Sequence, residues 1–369
     1  RRPFSYLLPC ALLFAALGSV SCGGGSGYTP AGFTREVAVN GLTLPVAMAF
    51  APDGRLFVTE KSGTVRVIKD GSLLPAPFVT IAVSTVNDHG LAGITLDPDF
   101  AANGYVYVYY TALTPTVHSR VSRFTASGDT AVPGSETVLF ELDDVAPNFH
   151  QGGGIRFGAD RKLYISTGDN SVPTNSQSLE NLKGKLLRIN ADGSIPDNNP
   201  FDTAASGRGR AIWARGLRNP FTFAVQPGTG RIFINDPGDH RFEEVNEGRA
   251  GANYGWPLAE GPSTDPGFQT PTFSYAHRSD AEVSSSIAGG TFYNPVQVQY
   301  PAEYVGKYFF SDFITGEIRM ADPAQGSGSN ISIFASDVKN PVALEVSPDG
   351  YLYCIAHYRG EILRYNYNR

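Results

Sequence analysis

The chain has 369 residues and a net charge of −6, and only 17% of its residues are charged, below the roughly 25% of ordinary soluble domains. That shortage excludes long salt-bridged helices and coiled coils, the 41% hydrophobic content excludes disorder, and the acidic balance gives no footprint for a nucleic-acid partner. The 41 Gly and 26 Pro follow no Gly-X-Y period, so collagen is excluded too, and an all-β chain with many tight turns remains.

In chain order, Arg1 and Arg2 precede an apolar run from Phe4 to Val20, too short and too Pro-interrupted for a spanning helix, which reads as a secretory signal. The run ends in Ser19-Val20-Ser21-Cys22, followed by Gly23-Gly24-Gly25-Ser26-Gly27. A Cys after small residues and before a Gly/Ser tether resembles a bacterial lipoprotein processing site, with Ser19 where Leu is usual. The expected layout is a signal over 1–22, a lipidated Cys22, a flexible tether over 23–34 and a folded body over 35–369. Such a product is periplasmic or tethered to the outer membrane, with the lipid as its membrane contact. Cys354 is then the one cysteine of the body, so no internal disulfide forms, and its apolar surroundings in 351–355 mark it as a small buried hydrophobe.

From residue 52 onward one pattern recurs: a Gly-bearing or acidic turn, a short aromatic or β-branched strand, a second turn and a second alternating strand. The copies cover 52–58 with 63–68, 103–109 with 119–124, 159–165 with 184–189, 230–234 with 244–246, 306–310 with 316–320, and 348–353 with 360–365. Period-two alternation between turns predicts antiparallel pairs. The copies lie about 60 residues apart, more than the 40–50 of common propeller repeats, so long loops are expected near 130–155, 170–183, 195–215 and 237–300. Sixfold recurrence predicts a six-bladed β-propeller; a large β-sandwich explains the strands but not the repeat.

Three inserted loops are dense in polar residues, and loops on rigid scaffolds are where binding chemistry concentrates. His150, in Asn148-Phe149-His150-Gln151-Gly152-Gly153-Gly154, and Asp169, in Thr167-Gly168-Asp169-Asn170, flank the 163–166 strand. They converge at one sheet end if His150 starts one strand and Asp169 ends the next; a carboxylate beside a His fixes its tautomer, as a general base requires. A structural His in a Gly-rich turn is the other reading. The second loop, Gly216-Leu217-Arg218-Asn219-Pro220, offers a cationic fork and an amide to an anionic or carbonyl-bearing ligand, or is a plain turn. The third, 235–246, holds Asp236, Asp239, Glu243 and Glu244, which share a cation such as calcium or form a solvated acidic loop.

Together the stretches at 150–169, 184–201, 215–225 and 243–257 resemble the glucose/sorbosone dehydrogenase family, whose members include sugar dehydrogenases that use pyrroloquinoline quinone (PQQ). The resemblance covers roughly 40–366. It implies PQQ- and calcium-dependent oxidation of an aldose to its lactone, with a sugar as substrate and a separate electron acceptor. His150 takes the role of general base, Asp169 supports it, and Arg218 and Asn219 hold the quinone's reactive carbonyl side, with Gln151 also at the cofactor. The calcium ligands it implies are Asp236, Pro237, Gly238, Glu244 and Tyr254, in part through backbone carbonyls. Two places depart from the family. Asn87-Asp88-His89 stands where a Gln is expected. Ile314 or Thr315, and residues near Asn340 and Val342, stand where a Lys and two Arg neutralise the cofactor's carboxylates; Lys339, Arg319 and Arg359 lie nearby but out of register. Two other activities use such a scaffold: a non-catalytic calcium-stabilised propeller that binds a sugar or protein, and a calcium-dependent lactonase-type hydrolase.

Overall fold

All six expected hairpins form. In the computed structural model, which describes residues 27–277, 285–326 and 330–368, they are Leu56–Glu60 with Thr64–Lys69, Tyr105–Ala112 with His118–Ser127, Leu163–Thr167 with Lys185–Ile189, Ile232–Asp236 with Phe242–Glu247, Tyr308–Asp312 with Glu317–Ala321, and Leu352–Ala356 with Glu361–Tyr367. Each is the middle of a four- or five-stranded antiparallel sheet, and the six sheets are the blades of a propeller. The periodicity did not mark the innermost strands, Pro45–Phe50, Leu91–Leu96, Ile155–Phe157, Thr222–Val225, Ile287–Phe292 and Pro341–Val346, which pack against one another around the axis. They are short or rich in glycine and alanine, as in Ile155–Phe157 and Ile287–Phe292, and so lack the run of aromatic and β-branched residues that marks the hairpins.

The expected signal and Cys22 lie outside the described residues. The expected tether, however, is folded in part. Phe33–Val39 pairs antiparallel with Glu361–Tyr367, so the N-terminal strand completes the sixth blade and closes the ring. Before it, Tyr28 exchanges backbone and side-chain bonds with Ser336, at 3.0 Å each way.

Six apolar clusters hold the ring, one between each pair of neighbouring blades. Phe57, Phe78 and Phe100 join blades one and two; Tyr107, Leu142 and Ile165 join two and three; Leu186, Phe223 and Ile234 join three and four; Phe233, Phe292 and Phe310 join four and five. Phe33, Tyr300, Phe309, Phe334 and Tyr365 join five and six, and Met48, Val58 and Ile355 join six to one. The chain's surplus of Phe and Tyr resides here, where aromatic rings contribute large buried areas and edge-to-face contacts. Cys354 is buried in the fifth–sixth cluster and unpaired, as expected. At the axis the inner strands approach so closely that only glycine fits: a Cβ on Gly93 would lie 2.1 Å from the Gly153 carbonyl oxygen, and one on Gly289 2.7 Å from the Ala343 Cα.

In every blade the segment before the first strand and the segment after the second emerge on the same face, because neighbouring strands are antiparallel. Residues 86–90, 146–154, 216–221 and 285–286 are of the first kind; Lys61, 168–171, 237–241, 313–316 and 357–360 are of the second. All nine reach one end of the axis.

Phe33 is 6% exposed and makes ring contacts with Tyr300, Tyr304, Phe334 and Tyr367. Phe33→Ala is expected to lower the unfolding free energy by about 3–5 kcal/mol in urea titration, while Val37→Ala on the exposed side of the same strand stays within about 0.5 kcal/mol.

Candidate active site

The loops at that end enclose a cavity of about 500 Å³, and a tighter space of about 40 Å³ lies on the axis among the inner strands. The larger cavity takes side chains from all six blades, among them Lys61, Asp88, Phe149, Asn219, Ile314 and His357.

His150 and Asp169 meet beside it: neither lines the cavity, but Phe149, next to His150 in the chain, and Asn219, bonded to the His150 loop, both do. His150 begins the approach to the inner strand of blade three and Asp169 ends the next, antiparallel strand, so the convergence expected from sequence is realised. The His150 Nδ1–H donates to Asp169 Oδ1 at 2.8 Å. Asp169 is fully buried; its Oδ1 also accepts the Ser171 amide at 2.7 Å and its Oδ2 accepts the Trp256 indole N–H at 2.9 Å. A carboxylate held by three donors stays in place and fixes the imidazole tautomer with the proton on Nδ1, which leaves Nε2 with its lone pair. Beneath Asp169 sits Lys185, buried, its ammonium donating to the carbonyls of Asn175 at 2.8 Å and Ser176 at 3.2 Å. Burial pulls Lys185 down to about 7, Arg215 adds to the drop, and Asp143 and Asp169 oppose it.

Arg218 and Asn219 stand beside this pair. Asp236 caps both of their backbone amides, at 2.9 and 2.6 Å, and Asn219 Oδ1 accepts the Gly152 amide at 3.0 Å, which ties the turn to the loop of His150. The Arg218 guanidinium lies 5.5 Å from the Trp256 ring, donates to Asp239 at 2.8 Å and to the Pro237 carbonyl at 3.3 Å, and keeps a buried Nε–H with no partner. Gln151 is buried and lines a separate space of about 10 Å³ rather than the main cavity; its amide donates to the Asn148 carbonyl at 3.2 Å.

The acidic loop separates into parts. Asp239 pairs with Arg218 and His240, and Glu243 with His277 at 2.6 Å. Asp236 and Glu244 remain, directly opposite each other on paired strands and both buried. Burial, then the neighbouring Glu244 charge, pushes Asp236 up to about 8, and burial pushes Glu244 up to about 7. Next to them Asn246 donates to Glu244 at 2.9 Å and leaves its buried Oδ1 without a partner. Two mutually repelling buried carboxylates and an orphaned amide oxygen fit a hard, oxygen-seeking cation such as calcium. Of the other expected ligands, the Pro237 carbonyl receives Arg218, and Gly238 is pinned against the Phe242 carbonyl, 1.8 Å from where a Cβ would stand. Tyr254 uses its hydroxyl to bridge Glu247 and Arg249, at 2.8 and 3.1 Å. Among the described residues no group of three or more His, Cys, Asp or Glu side chains could share an ion, so a cation here would depend on carbonyl and amide oxygens.

At the far side of the cavity Ile314 and Val342 present apolar side chains. The out-of-register cations do not compensate: Lys339 pairs with Asp337, Arg319 pairs with Glu317 at 2.6 Å and covers the Tyr275 ring, and Arg359 is exposed outside the lining. Among the described residues Lys61 is the only Lys or Arg in the lining. The sequence reading had no signal for Lys61, which lies in a blade-one turn far along the chain from the other site loops. It missed Trp256 as well, although one of the two Trp residues of the chain, set among glycines, needs a partner for its N–H once buried.

The structure is thus a six-bladed propeller with a carboxylate-bonded histidine beside the cavity at one end of its axis. The chain belongs to the glucose/sorbosone dehydrogenase family: residues 42–364 match the family described as Glucose / Sorbosone dehydrogenase. It is 28% identical over 382 residues to an aldose sugar dehydrogenase of Escherichia coli, an alignment covering 98% of both chains. It is also 28% identical over 317 residues to quinoprotein glucose dehydrogenase B of Acinetobacter calcoaceticus, which covers 75% of this chain and 63% of that protein. The PQQ-bound structure of an aldose sugar dehydrogenase from Streptomyces coelicolor superposes with a TM-score of 0.75 at 25% identity, covering 92% of this chain and 99% of that one.

If Asp236, Glu244 and Asn246 hold a cation, calcium at 100 times its Kd is expected to stabilise the fold by about 2.7 kcal/mol, read as a chelator-reversible rise in Tm. Asp236→Asn is expected to abolish that rise.

Proposed function

We propose that the protein oxidises an aldose sugar at C1 to the lactone, with PQQ as electron acceptor and calcium as its metal partner. The observation that carries the reading is the His150–Asp169 pair, 2.8 Å apart, beside a 500 Å³ cavity that the adjoining Phe149 and Asn219 line. When bound, PQQ with calcium supplies a two-electron acceptor for hydride. The chain's own residues do the rest. His150 Nε2 takes the C1 hydroxyl proton, and Asp169 stabilises the imidazolium that forms. The Asn219 side-chain amide offers a donor to a carbonyl oxygen at the cavity lining, and the Arg218 guanidinium beside it adds positive charge. Among the described residues Lys61 offers the lining's one ammonium to an anionic group, and Phe149 and Tyr358, exposed at the rim, offer ring faces to a sugar. The N-terminal segment supports export and a lipid tether at Cys22. One observation favours a second reading, a non-catalytic propeller that binds a sugar or protein surface: among the described residues a trianionic cofactor meets a single lysine in this lining.

Titrating the protein with PQQ and calcium is expected to change the quinone absorbance and to enable dye reduction by aldoses. His150→Ala is expected to cost about 10²–10⁴ in kcat while PQQ affinity stays within about threefold. Absence of both the absorbance change and dye reduction would favour the second reading.

A further inference from the structure

The segment Asn87-Asp88-His89, on the approach to the inner strand of blade two, bonds to the loop that carries His150 at three consecutive positions. Asn87 Nδ2 donates to the Pro147 carbonyl at 2.7 Å, Asp88 Oδ2 accepts the His150 amide at 2.8 Å, and His89 Nε2 donates to the Ala146 carbonyl at 3.0 Å. The segment is itself braced. Ser84 Oγ donates to His89 Nδ1 at 2.8 Å, so the tautomer that feeds Ala146 is fixed, and Lys61 Nζ donates to the Asn87 carbonyl at 2.6 Å. His89 is buried, while Asn87 and Asp88 lie exposed at the cavity rim.

The loop it grips needs holding. His150 has φ +66°, a left-handed conformation that costs a non-glycine residue on the order of 1–3 kcal/mol and persists only where neighbours over-determine it. Asp88 fixes the amide on one side of this residue. On the other side the His150 carbonyl accepts the Asn170 amide at 3.1 Å, and Asn170 also brackets Ala146 through its side chain, at 2.9 and 3.3 Å. Asp169 aims the ring, but its reach from the backbone is set by where the 146–150 loop is pinned.

We infer that Asn87-Asp88-His89 is a clamp that positions the base: it holds His150 in its left-handed conformation and so sets where its imidazole stands. The clamp acts through His150, so these are positioning residues. The inference rests on the dehydrogenase reading for its kinetic consequence, but not for its structural one.

The test is Asp88→Ala beside Asp88→Asn, in the full chain loaded with PQQ and calcium, with amide hydrogen exchange of peptides spanning 146–151 measured on the same proteins. Asp88→Ala removes the acceptor of the His150 amide. It is expected to lower kcat about 10- to 100-fold, to leave KM and PQQ affinity within about threefold, and to speed exchange at 146–151 about tenfold with the other peptides unchanged. Asp88→Asn keeps an acceptor oxygen and is expected to restore kcat and exchange to within about threefold of wild type. Wild-type kcat together with wild-type exchange in Asp88→Ala overturns the clamp, and so does a failure of Asn to rescue. If the wild-type protein oxidises no aldose yet Asp88→Ala still loosens 146–151 and Asn restores it, the clamp stands and the dehydrogenase reading falls.

Discussion

The Asp169 carboxylate is sealed from solvent, and what surrounds it explains most of the site. A bare carboxylate in that position would be costly, and its cost is offset by three donors: the His150 imidazole, the Trp256 indole and the Ser171 amide. Each donor comes from a different stretch of chain, so satisfying one buried charge orders three loops at once. Trp256 extends the network to Arg218, whose guanidinium lies over the indole, and Arg218 and Asn219 are in turn fixed by Asp236. His150 and the 216–220 turn are therefore one bonded unit. A disturbance at the acidic loop has a physical route to the imidazole.

The propeller supplies what this unit requires. Antiparallel strands return alternate loops to one face, six apolar seams prevent the blades from sliding, and the N-terminal strand closes the ring against the last blade. Close packing of glycine and alanine at the axis leaves a space of only about 40 Å³ there. The open volume consequently lies above the inner strands, where the loops gather. Rigidity below and loop chemistry above is the division of labour expected of a site built on a scaffold.

Much of this was legible in the sequence, and the reasons are specific. The middle strands of each blade are runs of aromatic and β-branched residues set between turns, and that composition gives them away although strands such as Leu163–Thr167 and Ile232–Asp236 are buried throughout. The inner strands, such as Gly289-Gly290 within Ile287–Phe292, carry no such signature. The His150–Asp169 pairing could be argued because a single strand separates the two residues. The contacts of Asp169 with Trp256, and of His150 with Asp88, join residues 87 and 62 positions apart, beyond the reach of any spacing argument. The acidic loop looked like four competing carboxylates. Tertiary partners for Asp239 and Glu243 reduce it to one repelling pair, which composition cannot disclose.

The central claim is that Asp169 holds His150 in the tautomer whose Nε2 accepts a proton. The most direct measurement is kcat for Asp169→Asn in protein loaded with PQQ and calcium. An amide preserves the shape but can turn its NH₂ towards Nδ1 and invert the tautomer. A kcat loss of about 10³–10⁴ with PQQ affinity and Tm retained is the predicted result. A kcat within about threefold of wild type would contradict it.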